Sequence, residues 1–300
     1  MKMMVETNIL DDGLTNPDLV EVACEVPVSD VDDQVDHMVA VLDGYGSMLT
    51  KEEIEYASLT GNEAYAYSVL QLHGFSGSES WVDTMKQSAE TAYKAIIETL
   101  RAIKEFFFGD GKKAVEEADK KAVESLESLA KLDMNAPIKE ESKLTNPLTY
   151  FKNPGESVEL ENLYAKYPAV KEALEKVQGA TSRIANAKAV GQLGAVYQEM
   201  RKKASEASGA ITKALESALK SAEDAANEMK AGPKAQEDAT NEIKQAAKEQ
   251  QKENVDTAKE ETRYSKALGS LRNKITTMLN AISNNANSVK GETKESEFKG

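Results

Sequence analysis

Catalysis and metal binding need particular side chains at particular spacings, and few are present. His37 and His73 are the two histidines of the chain. They fall on separate predicted helices, without the Glu-x-x-His or His-x-x-x-His spacing that sets two ligands on one helix face. A metal pair with Asp33 or Asp36 competes there with plain solvated helix positions, and the second reading is preferred. Gly109-Asp110-Gly111-Lys112-Lys113 looks like a phosphate loop, but Phe106 stands where its first glycine belongs and Lys113 replaces the required Ser/Thr. A helix cap and turn fits better. Asp30-Val31-Asp32-Asp33 lacks the alternating oxygens and central glycine of a calcium loop, and reads as acids favoured at a helix N-terminus. Cys24 stands alone, so neither an intrachain disulfide nor a cysteine-based zinc site can form. No catalytic residue, metal site or cofactor is expected, and the chain reads as non-enzymatic.

The remaining candidates concern contact. Gly191, Gly194 and Gly209 interrupt a predicted helix, each costing roughly 1 kcal/mol relative to alanine. Gly191-x-x-Gly194, beside Ala187 and Ala195, would let another backbone approach; a local kink is the alternative. Trp81 and Phe107 share one helical stripe and are expected in a core. Three consecutive phenylalanines cannot all face inward, so Phe106 or Phe108 is a candidate docking surface for a partner. Nucleic acid is a poor candidate partner. The net charge is −14, and residues 1–45 hold eleven acids against Lys2 alone, whereas phosphate binding needs lysine and arginine.

These residues must be positioned by helices. Apolar residues make up 40% of the chain, many of them alanine, and aromatics only 6%, which suits long, closely packed helices. Four of the seven prolines (Pro137, Pro147, Pro154, Pro168) are concentrated in one stretch, leaving the rest free to be helical. The expected fold is all-α: an N-terminal helical bundle joined to a long antiparallel, coiled-coil-like hairpin. Residues 1–27, acidic and aperiodic, read as a disordered leader without the apolar run of a signal peptide. A bundle is expected over 28–133. Ser29 caps its first helix (Val31, Val35, Met38, Val39, Leu42), which Gly44 and Gly46 end, and Thr50-Lys51-Glu52-Glu53 forms a capping box. A helix with Tyr65, Val69, Leu70 and Leu72 follows, then the amphipathic stripe from Trp81 to Phe107, closed by Gly109. A proline-rich connection with one short helix covers 134–167. The hairpin covers 168–290, with arms of about 80–90 Å, its bend at Gly232-Pro233 and its tip in solvent. Its return arm carries Ile243, Ala246, Val255, Leu268, Leu271 and Ile275 and fades after Asn284-Asn285, leaving 291–300 as a disordered tail. No run of 18 apolar residues occurs, so no transmembrane segment is expected.

Gly44-Tyr45-Gly46-Ser47-Met48-Leu49-Thr50, the helix from Ser80-Trp81 to Ala102-Ile103-Lys104-Glu105-Phe106-Phe107-Phe108-Gly109 and the charged helices after it resemble internal head and other virion structural proteins of large tailed bacteriophages. The resemblance covers about a fifth of the chain and includes no catalytic motif. It implies a non-enzymatic protein that partners other virion proteins or itself, made in the host cytoplasm and packaged inside the capsid. Such proteins are sometimes trimmed by a prohead protease. Leu19-Val20-Glu21 and Ala23-Cys24-Glu25 are similar to the glutamate-ending motifs those proteases cut, which makes Glu21 and Glu25 candidate processing sites. Two other classes compete. A secreted helical pore-former or translocator would need an apolar segment longer than Ala95–Phe108, which carries Glu98, Arg101, Lys104 and Glu105. A cytoplasmic coiled-coil adaptor would bind a single soluble partner.

Overall fold

The computed structural model describes residues 28–51, 55–75, 81–139, 143–144, 160–231 and 239–298, with backbone alone for 28–30, 81–82 and 291–298. The protein is all-α, and no strand occurs among the described residues beyond one bridge between Pro137 and Ala189. The helices are α1 (Val28–Leu49), α2 (Gly61–Leu72), α3 (Trp81–Phe108), α4 (Asp110–Leu129), α5 (Leu160–Lys166), α6 (Pro168–Thr181), α7 (Val190–Lys230) and α8 (Asn241–Phe298). Tyr56–Ser58 and Ile184–Asn186 are 3₁₀ turns. The candidate processing sites Glu21 and Glu25, the bend at Gly232-Pro233 and most of the proline-rich connection lie outside the described residues.

α1 does not stop at Gly44 or Gly46 but runs through both to Leu49. Gly44 is instead a contact point: a Cβ there would overlap the carbonyl of Asn62 on α2. The Thr50 hydroxyl donates back to the Ser47 carbonyl at 2.7 Å, closing the end of α1, while Glu52 and Glu53 of the expected capping box lie outside the described residues. Gly109 does end α3, without a left-handed φ; a Cβ would collide with the Glu105 carbonyl, which accepts the Gly109 amide at 2.8 Å.

The first hairpin arm is also not one helix. α6 ends at Thr181, where the Thr181 and Ser182 hydroxyls bond the Gln178 and Gly179 carbonyls, and α6 folds back antiparallel on α7. The chain before the bridge then caps α7. Ala136 and Met134 accept the Val190 and Gly191 amides, both at 3.0 Å, which would otherwise be orphans of a helix N-terminus. α7, with 41 residues, is therefore about 60 Å long. α8 has 58 residues and spans about 87 Å; it passes Asn284-Asn285 without a break and continues through the expected tail to Phe298.

α7 and α8 pair antiparallel over much of this length. Gln251 donates to the Met229 carbonyl at 3.0 Å, and Tyr197 donates to Asn285 at 2.6 Å. Between these two contacts α7 recedes 32 residues while α8 advances 34, so the register hardly slips. α8 is also the axis of the whole molecule, with two buried seams side by side. One is large and apolar (Tyr264, Leu268, Leu271, Ile275, Met278, Ile282). The other is small or hydroxylated (Ala258, Thr262, Ser265, Gly269, Thr276, Ser283). Thr262, Ser265 and Thr276 bond carbonyls four residues back, so their hydroxyls enter the interior already satisfied.

The small seam admits α1 and α4, and at Gly269 the Phe107 ring from the end of α3. α1 lies antiparallel, with Lys266 to Asp36 at 2.8 Å and Lys259 to Asp43 at 2.7 Å. α4 lies parallel, with Ser125 to Ser283 at 2.7 Å. α3 runs along α7, and the Lys230 ammonium sits 4.5 Å from the centre of the Tyr93 ring. Buried residues from α1 to α8 form one continuous core. The early helices therefore pack against the hairpin as part of this core. They brace it nearly to its tip, where Asn241–Glu249 is mostly exposed. Leu72 and Ile243, expected inward, are 86% and 51% exposed.

Candidate functional site

A groove lies between α7 and the nearly end-to-end line of α3 and α4. It consists of three joined clefts of about 390, 450 and 550 Å³. The first and second share Glu216, and the second and third share Ser205. The first is apolar at its base (Ile97, Leu100, Phe108, Leu219), with Arg101, Lys104 and Lys220 above facing Glu216 and Glu223. Arg201 bridges the third cleft to the second, gripping Asp119 of α4 through Nε at 2.8 Å and Nη2 at 3.2 Å.

The middle cleft has hydroxyl side chains along one wall, with Val115 and Leu279 also lining it. Its wall on α7 carries Ser205, Ser208, Gly209 and Thr212, with Lys213 beside them; Lys112 and Glu116 stand opposite on α4, and Arg272 of α8 closes the floor. Arg272 is 2% exposed. Its Nε and Nη2 have no hydrogen-bond partner among the described residues. The guanidinium carbon lies 5.2 Å from the centre of the Phe107 ring. Burial disfavours the charged form and lowers the Arg272 pKa to about 10. Gly111 makes room for this side chain, because a Cβ there would overlap Nη2. Gly209 has nothing within 4 Å of a built Cβ, so its missing side chain leaves the cleft open.

The docking candidates separate. Phe108 lines the first cleft, while Phe106 packs edge-on against Phe107, ring centres 5.4 Å apart, and is half-buried on the core. Phe107 is buried, and the Trp81 side chain lies outside the described residues. Gly191 meets the Met134 backbone, with a built Cβ 3.1 Å from that carbonyl; Gly194 faces only the Leu129 side chain, at an ordinary 3.6 Å. His37 bonds the Tyr65 hydroxyl through Nδ1 at 2.5 Å, far in sequence from His73. Among the described residues no group of three or more His, Cys, Asp or Glu is placed to hold a metal ion. Among them, too, no helix is long and apolar enough to cross a membrane.

Arg272 was missed in the sequence because it sits in the return arm among lysines and glutamates, where a cation reads as a solvated face. The signal was its spacing. It falls in the repeat of Thr262, Ser265, Gly269, Thr276 and Ser283, a small-residue seam. No family model, curated protein or solved structure shows a significant match to the chain.

Proposed function

We propose that this chain is a non-enzymatic structural protein of a tailed-phage virion, an internal head protein that assembles with copies of itself or with other virion proteins. The observation that supports a structural role is the continuous core along α8, which is braced between Gln251 and Val289 over about 57 Å. Long helices packed on a common axis resist bending and hold two ends at a fixed separation, which is what an assembly element needs. The groove along α7, with Phe108 at its apolar base, is the surface on which a neighbouring protein would seat. The virion assignment rests on the sequence resemblance over residues 44–50 and 80–109 and on the acidic segment that precedes α1.

Mass spectrometry of particles purified from the native source tests this reading. The protein should co-purify with them at high copy number, with an N-terminus at Val22 or Val26 after cleavage at Glu21 or Glu25. Absence from purified particles would sink the assignment. An intact Met1 in mature particles would remove the processing step alone.

A further inference from the structure

Burying a cation away from water is costly unless an anion or a full set of acceptors surrounds it. Arg272 has neither among the described residues. It forms no ion pair, and the aromatic face of Phe107 is a weaker compensation than a carboxylate. The acids nearest the cleft are engaged elsewhere or peripheral. Asp119 is held by Arg201, Glu116 lies 3.9 Å from Lys112, and Glu216 stands exposed on the outer rim. The cleft that Arg272 lines is walled by the Ser205, Ser208 and Thr212 side chains and flanked by Lys213. The Thr212 hydroxyl donates to the Ser208 carbonyl, which leaves the hydroxyls of Ser205 and Ser208 as the donors on this wall.

We propose that the middle cleft between α4 and α7 binds a small oxyanion, a phosphate or carboxylate group, with Arg272 as its counter-charge. The enclosed guanidinium supplies a delocalised positive charge that an oxyanion in the cleft would offset. Lys213 and Lys112 add charge at the mouth, and the serine hydroxyls can donate from the side. Two glycines make the site. Gly111 lets the guanidinium reach the floor, and Gly209 keeps the wall open at the expense of helix stability in the middle of α7. A structural arginine merely trapped by packing would account for Gly111 but not for Gly209.

The test uses the full chain in chloride buffer at constant ionic strength, titrated with inorganic phosphate in one arm and acetate in the other. Melting temperature and calorimetry are the readouts. Wild type should show a saturable rise in melting temperature with at least one anion, and the responding arm assigns a phosphoryl or a carboxylate ligand. Arg272→Met should abolish the response and melt higher than wild type without anion, because the buried charge is gone. Gly209→Leu should keep the fold and Arg272, fill the cleft and weaken the affinity roughly tenfold or more. A wild-type response no larger than that to added chloride would overturn the proposal. So would wild-type affinity in Gly209→Leu, which decides the matter even if Arg272→Met does not fold.

Discussion

Lys259 and Asn62 both donate to Asp43, at 2.7 and 3.0 Å, and these hydrogen bonds hold its carboxyl below the ordinary range. A carboxylate with a lowered folded pKa contributes stability above the unfolded value, and that contribution is lost as pH falls through the folded one. Asp43→Asn should therefore destabilise the protein at pH 7, by up to about 1 kcal/mol for so exposed a pair, and the cost should shrink as pH falls toward 2. Asp32, on the same helix, goes the other way. Burial is the largest influence and raises its pKa, against the opposing pull of Lys266. Its ionised form is disfavoured by folding, so Asp32→Asn should be neutral or stabilising at pH 7. Urea midpoints of both variants at pH 7 and pH 2 check this, and a common sign at pH 7 would refute it. Two glycines make a second opposed pair. Gly44→Ala forces a methyl into the Asn62 carbonyl and should cost about 1–3 kcal/mol, whereas Gly209→Ala meets open space and should gain up to about 1 kcal/mol in helix propensity. Equal effects from the two substitutions would mean that α1 and α2 are not in close contact.

The helices themselves were largely legible, because apolar residues at spacings of three and four mark them wherever one face is buried. α3 is the clearest case: Met85, Ala92, Ile96, Leu100, Ile103 and Phe107 are all buried as their stripe requires. What the pattern hid is α8. Its second seam is built from Thr262, Ser265, Gly269, Thr276 and Ser283, which any hydropathy scale scores as solvent-facing. α8 is thus an arm of the hairpin that is also buried against α1 and α4. The glycines misled as well. Gly44 and Gly46 look like stops, but a helical glycine facing another backbone is a contact, and sequence alone does not distinguish the two. The hydroxyl seam makes its own prediction. Thr262 bonds the Ala258 carbonyl, so Thr262→Val loses one self-contained hydrogen bond and should cost at most about 1 kcal/mol. Thr262→Leu overfills the α1–α8 contact and should cost about 1–3 kcal/mol. Denaturant unfolding that ranked valine below leucine would contradict the packing of this seam.

Because the core is continuous, the molecule should unfold as one unit despite its 300 residues. Far-ultraviolet circular dichroism and near-ultraviolet tyrosine signals should give coincident urea transitions; two separated transitions would mark a division into bundle and hairpin. The placement of α8 also sets an order of events during synthesis. The axis around which everything packs is the last helix to be made. Lys266 and Asp36 meet across 230 positions, and Ser125 and Ser283 across 158. Roughly 190 residues separate the end of α1 from the start of α8, and at about 5–20 residues per second a ribosome needs on the order of 10–40 s to cover them. Through that interval α1 and α4 carry apolar faces whose partner on α8 does not yet exist. Helical proteins owe their fast folding to local contacts, and this one forgoes that advantage, so its collapse should run closer to the pace of a β-sandwich than to that of a short bundle. A nascent chain of this kind depends on something else to cover it until Asn241 onward emerges, whether a chaperone or the early helices of a neighbouring copy.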